Sequence, residues 1–180
     1  MNFPVQGKKA TQAVARLIER SGTPIDYLRV IKLVYLADRE SVIQRGLPIV
    51  GGHYYSMRKG PVISEVMNFV TERNAPDWKD VISPRYGNEI RLQRHPDFGA
   101  LSQAEMEILD EVVRAHSSRT TEELVEWCHQ NCTEYEKVES RDRKPITVES
   151  ILRAIGKPAS LIRRVVKEAE HLAEMDRLLA

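Results

Sequence analysis

The sequence predicts a mainly α fold of the α+β kind: a helical single domain over residues 1–180 with about seven helices and one small antiparallel β-ribbon. Three observations point there. Apolar residues recur at helical spacing through most of the chain. Capping signatures and glycine stops mark where those stretches begin and end. Only two short segments, His53 to Arg58 and Glu89 to Arg94, read as strands.

The first helix carries Ala10, Val14, Leu17 and Ile18 on one face and stops at Gly22. Thr23-Pro24-Ile25-Asp26 restarts the chain, with Thr23 as cap, Pro24 in the first turn and Asp26 at the capping-box position. The helix that follows runs to about Arg45, where Gly46 ends it and Pro48 blocks continuation. Ile25, Leu28, Ile31, Leu33, Val34, Tyr35 and Leu36 make it apolar around much of its circumference, as a central helix must be. Gly51-Gly52 then leads into the first strand. The second, after the turn Arg85-Tyr86-Gly87-Asn88, sets Ile90 and Leu92 against Glu89, Arg91 and Gln93. These two segments are expected to pair, and the ribbon to lean on helices. Pro61 is expected to open a helix with Val62, Val66, Phe69 and Val70 inward, broken at Ala75-Pro76-Asp77-Trp78. Ser102…Glu105 and Thr120…Glu123 are capping boxes for two more helices. Cys132 to Pro145 reads as a surface loop, Thr147 to Ile155 as a short helix closed by Gly156. The last helix starts at Lys157-Pro158, with Leu161, Val165, Leu172 and Leu179 on its inner face and Arg163, Arg164, Lys167 and Glu170 outside.

Composition narrows the function. A hydrophobic content of 42%, a charged content of 29% and a net charge of +1 describe an ordinary globular chain, not one built mainly to neutralise phosphates. No apolar run approaches a membrane span and the first residues have no apolar signal core, so a cytoplasmic location is expected. Cys128 and Cys132, the only two cysteines, are then expected to be reduced and to share one helix.

The densest motif block is Lys32-Leu33-Val34-Tyr35-Leu36-Ala37-Asp38-Arg39, followed by Pro48-Ile49-Val50-Gly51 with Tyr54, and then Gly60-Pro61-Val62-Ile63-Ser64-Glu65-Val66. In this order these elements resemble the Panacea antitoxin domain, also called SocA-like or phage-associated GepA-like. The Leu101-Ser102 segment, the Thr121-Glu122-Glu123-Leu124 helix with His129, and Ile146-Thr147 are similar to the family's layout as well. The chain departs from it at Arg58-Lys59, and after His129, where Asn131-Cys132-Thr133-Glu134-Tyr135 replaces a Pro-Trp-like pair. The resemblance implies a bacterial or phage antitoxin that binds and blocks a toxin encoded beside it, in a family paired with many unrelated toxins. A SocA-like member is further implied to act as a proteolytic adaptor for ClpXP. Lys32, Tyr35, Asp38, Arg39, Gly60, Pro61 and Glu65 are the motif residues it marks as structural.

Read for chemistry, the residues point away from catalysis. Cys128-His129-x-x-Cys132 has zinc-ligand types but no second pair, and His53, His95, His116 and His171 are scattered, so no metal is expected. Ser64 sits on no nucleophile elbow, Gly51-Gly52 on no phosphate cradle. Asp38 and Glu65 read as helix caps or as partners for Lys32 and Arg39. Lys32 reads as snorkelling or paired with an acid at a helix end. No catalytic residue and no cofactor are expected. Tyr54, Tyr55, Met57, Arg58 and Lys59 are the candidate toxin-binding residues, because aromatic residues and Arg anchor interfaces and a ribbon edge accepts strands. Tyr54 and Tyr55 must face opposite ways, one into the core. Arg141-Asp142-Arg143-Lys144 reads as a solvated run, and Leu178-Leu179-Ala180 as a tail of the type AAA+ proteases grip. The alternatives are a DNA-binding transcriptional regulator and, below it, a small hydrolase.

Overall fold

The computed structural model describes residues 2–139 and 141–179. In chain order the elements are α1 (Gly7–Ser21), β1 (Ile25–Asp26), α2 (Tyr27–Arg45), β2 (Tyr54–Met57), β3 (Gly60–Ile63), α3 (Ser64–Glu72) and α4 (Trp78–Val81). There follow β4 (Glu89–Ile90), α5 (Gln103–His116), α6 (Thr121–Asn131), β5 (Lys144–Ile146), α7 (Val148–Ala154) and α8 (Ala159–Leu179). The mainly helical α+β class stands, with α4 as a single extra turn in the break after α3.

Helix α2 is the axis of the molecule. Every residue from Val30 to Asp38 is buried, because α1, α3, α5, α6, α7 and strand β3 surround it. Asp26 caps it, its carboxylate accepting from Leu28 N at 2.8 Å, and Gly46 ends it in the left-handed conformation. Thr23 and Pro24 therefore lie outside the helix, contrary to the expected box. Both expected capping boxes are complete, at Ser102/Glu105 and Thr120/Glu123.

The strand pairing differs from expectation. β2 pairs antiparallel with β3, Tyr54 opposite Ile63, and on its other side with β5, Tyr54 opposite Ile146. The Glu89–Ile90 strand pairs instead with β1, Ile25 opposite Ile90. The reason is local. Gly60 takes φ +91°, so the chain reverses at once after Arg58-Lys59 and its nearest strand becomes the partner. Pro61 lies inside β3 and the helix begins only at Ser64. A proline is tolerated there because β3 is an edge strand of the sheet order β3-β2-β5. Neither edge is the open one expected for strand addition: all four β3 residues are buried, and β5 carries Pro145.

The Cys132–Pro145 stretch is likewise no simple surface loop. It buries Cys132, Glu134 and Val138 and ends in β5. On α8 the inner face is Ile162, Val165 and Ala169, while Leu161 is only partly covered and Leu172 and Leu179 are exposed. The helix outruns the body it packs on. Leu178 and Leu179 project into solvent, and Ala180 lies outside the described residues.

One carboxylate organises the region between α2 and β2. Asp38, 1% exposed, accepts hydrogen bonds from Ile49 N (3.0 Å), Val50 N (2.8 Å), Gly51 N (2.8 Å) and Tyr54 Oη (3.0 Å). Burial pushes its carboxyl up to about 6, against the downward pull of those four donors, so it is ionised at neutral pH. The loop it fixes in turn holds the N-terminal segment: Gly52 N donates to Phe3 O (2.9 Å) and Gln6 N to Val50 O (2.7 Å), and a Cβ at Gly51 would collide with the Pro4 carbonyl. Asp38→Ala strands three buried backbone donors and is expected to cost about 3–5 kcal/mol in urea unfolding, whereas Glu107→Ala on the exposed face of α5 stays within about 0.5 kcal/mol.

Candidate functional site

The motif residues and the candidate binding residues occupy two layers. The motif residues lie inside. Lys32 reaches from α2 to β3, where its Nζ donates to Pro61 O at 2.8 Å; it is fully buried and meets no carboxylate among the described residues, so it neither snorkels nor takes the acid partner, the two readings expected. One turn on, Tyr35 Oη donates to Glu134 Oε1 (2.7 Å). Arg39 grips the same carboxylate with two nitrogens, Nε to Oε1 at 2.7 Å and Nη2 to Oε2 at 3.2 Å. Tyr35 also meets Tyr54 edge to face, with ring centroids 5.8 Å apart. Burial pushes both tyrosine hydroxyls up, so each remains a neutral donor. Glu65 answers neither Lys32 nor Arg39. Its Oε1 lies 2.5 Å from His53 Nδ1 and its Oε2 accepts from His53 N.

Lys32, Tyr35, Asp38 and Arg39 therefore point from one helix at three separate segments: β3, the 132–139 stretch and the 49–51 loop. They set the position of the β2–β3 hairpin from beneath. The 132–139 stretch closes it from the side, with Tyr135 Oη donating to Met57 O (3.1 Å) and Glu136 N to Ser56 Oγ (3.1 Å).

The candidate binding residues lie on the outer layer, with one correction. Tyr54 is in the core, 1% exposed, and leaves the surface offered to a partner. Tyr55 is the outward tyrosine, half-buried, with the Arg143 guanidinium over its ring at 4.4 Å. Met57 is half-buried, and Arg58 and Lys59 at the turn are exposed. Arg58 also borders a cleft of about 740 Å³ shared with Glu126, His129, Tyr135, Lys137, Val138 and Glu139. His129 stacks on Tyr135, centroids 4.8 Å apart and planes at 15°. Glu134, His129 and Tyr135 belong to the site in roles the sequence did not give them: His129 read as a zinc-type ligand without a second pair, and Glu134 and Tyr135 only as part of a departure from the family's layout. Their stretch is polar and aperiodic, and only the buried ends of Tyr35 and Arg39 reveal why an acid stands at position 134.

Among the described residues no cluster of three or more His, Cys, Asp or Glu is placed to hold a metal. No Ser or Cys side chain hydrogen-bonds the His53 ring among the described residues. No helix of the described residues is long and apolar enough to cross a membrane.

Lys32 carries a pH signature. Burial lowers its ammonium from 10.5 to about 8, opposed by Cys128 and Cys132 and helped by Lys59. Between those values the unfolded chain binds more protons than the folded one, so stability from this residue rises with pH across that window. Urea unfolding of the wild type relative to Lys32→Met is expected to shift in favour of the wild type by up to roughly 3 kcal/mol from pH 7.5 to 10. A flat difference would mean that the amine is not desolvated.

No curated protein and no solved structure matches the chain. A family model does, over residues 30–135, described as "Antitoxin SocA-like, Panacea domain". The matched stretch begins on α2 at Val30 and ends at Tyr135, so it contains the buried anchors, the hairpin and the 132–135 residues that brace it. This chain belongs to the SocA-like Panacea antitoxin family.

Proposed function

We propose that this protein neutralises a cognate protein toxin by binding it directly, in the cytoplasm and without chemistry of its own. Family membership carries the reading, and the two-layer build supports it. The interior anchors fix a hairpin whose outer residues, Tyr55, Met57, Arg58 and Lys59, are the types that anchor interfaces. The proposed contact surface is that hairpin face together with the His129–Tyr135 wall of the neighbouring cleft.

A narrower version hands the bound toxin to ClpXP. Toxin half-life with the purified protease decides it: shortening on addition of this protein supports the adaptor role, and an unchanged half-life leaves neutralisation by binding alone. In the DNA-binding alternative the basic segment Arg141–Lys144 would be a contact; there Arg143 lies over the Tyr55 ring and Lys144 pairs with Glu136 at 2.8 Å, both side chains exposed.

Expression of the neighbouring gene alone is expected to stop growth, and co-expression of this chain to restore it. Tyr55→Ala combined with Arg58→Ala is expected to weaken rescue by about tenfold or more in plating efficiency while the circular dichroism melt stays that of the wild type. Full rescue by the folded double variant would move the interface elsewhere.

A further inference from the structure

Among the described residues six large apolar side chains are exposed: Leu47, Tyr86, Leu172, Met175, Leu178 and Leu179. Single apolar residues on a surface need no explanation. These six are not scattered. Tyr86 lies near the start of α2, in the loop whose Asn88 carbonyl accepts from Tyr27 N. The other five gather at one corner by the opposite end of α2, where the last described turns of α8 pass the 47–49 loop.

The packing of α8 accounts for the corner. Its inner face, Ile162, Val165 and Ala169, is buried. Further along the helix Leu172, Met175 and Leu179 follow at spacings of three and four, and there the helix stands off from the body. They wall a cleft of about 370 Å³ whose floor includes Phe3, Leu47 and Ile49. The basic groups at its rim, Lys9 and Arg45, are already answered by Glu105, at 2.7 and 3.5 Å. Asp176 is the one other charged residue in its lining. The cleft therefore calls for an apolar occupant rather than an ion. Leu178, next to Leu179 on the helix, is 74% exposed and takes no part in the lining. The same corner thus holds a projecting leucine and an apolar socket. A two-fold contact uses that pattern, since each copy supplies both parts at once.

We propose that this corner is the interface of a homodimer, in which Leu178 of each copy enters the other's cleft between α8 and the 47–49 loop. An unrelated protein would have to bring a knob and a socket of its own; a second copy already has both. Area sets the strength of the contact. The exposed parts of the five side chains come to roughly 500 Å² per copy, a sizeable patch for a chain that stays alone. Two copies face to face cover on the order of 1,000 Å², the lower bound for a specific interface. The dimer is accordingly weak and reversible, with a Kd on the order of micromolar.

Sedimentation equilibrium of the full chain, from about 1 to about 300 µM, tests this. The expected mass is 20.6 kDa at the dilute end, rising toward two copies and no further. Leu178→Glu is expected to weaken association by about tenfold or more with an unchanged circular dichroism melt, and Leu178→Met to keep it. Tyr86→Ala, at the far end of α2, is expected to leave it unchanged. A chain that stays monomeric across the range overturns the proposal, as does a dimer that Leu178→Glu leaves intact or a mass that climbs past two copies. If the chain is monomeric and Leu178→Glu loses growth rescue, the corner belongs to the toxin contact instead. Sedimentation uses the free protein, so this outcome is separate from that of the antitoxin reading.

Discussion

A single buried carboxylate sets the geometry on which this molecule depends. Asp38 sits in the interior of α2, where an unpaired charge would be intolerable, and is made tolerable by three backbone amides and one tyrosine hydroxyl. Those donors come from the segment that leads into β2. The need to satisfy Asp38 is therefore what forces the chain after α2 to turn back across it. Once Tyr54 is committed to Asp38, the alternation of β2 is fixed: Tyr54 and Ser56 face inward, Tyr55 and Met57 outward.

Three further polar side chains from the same helix complete the support. Lys32 holds β3 by its Pro61 carbonyl, and Tyr35 with Arg39 holds Glu134. Each anchored segment is irregular or very short, and a ribbon this small has too little apolar area to hold itself. Buried hydrogen bonds supply the position that a larger sheet would take from packing. The functional consequence is a division of labour. The interior groups fix where the hairpin stands, and the turn residues Arg58 and Lys59 are exposed and take no part in that scaffold.

What was legible in the sequence follows from what is local. The apolar run of α2, the two capping boxes and the glycine stops are decided within a few residues, and they stand. The one-in, one-out placement of Tyr54 and Tyr55 follows from the strand period alone. Pairing was not legible, because it is set by φ +91° at Gly60 and by a third strand ninety residues away at Lys144–Ile146. Pro61 as a helix opener was a fair local reading that the tertiary structure overrides: its carbonyl is needed by Lys32 and its ring sits harmlessly on an edge. Glu134 was invisible, since an acid in a polar stretch carries no sign that it is buried until the helix above it is in place.

In the proposed role the interior anchors present the β2–β3 turn and its neighbouring wall to a protein partner. Hydrogen–deuterium exchange on the complex with the product of the neighbouring gene is the decisive experiment. New protection is expected to concentrate at Tyr55–Lys59 and at His129–Lys137, with the amides of Ile49, Val50 and Gly51 already protected in the free protein. Protection confined to α1 and α5 would place the partner elsewhere and overturn that role.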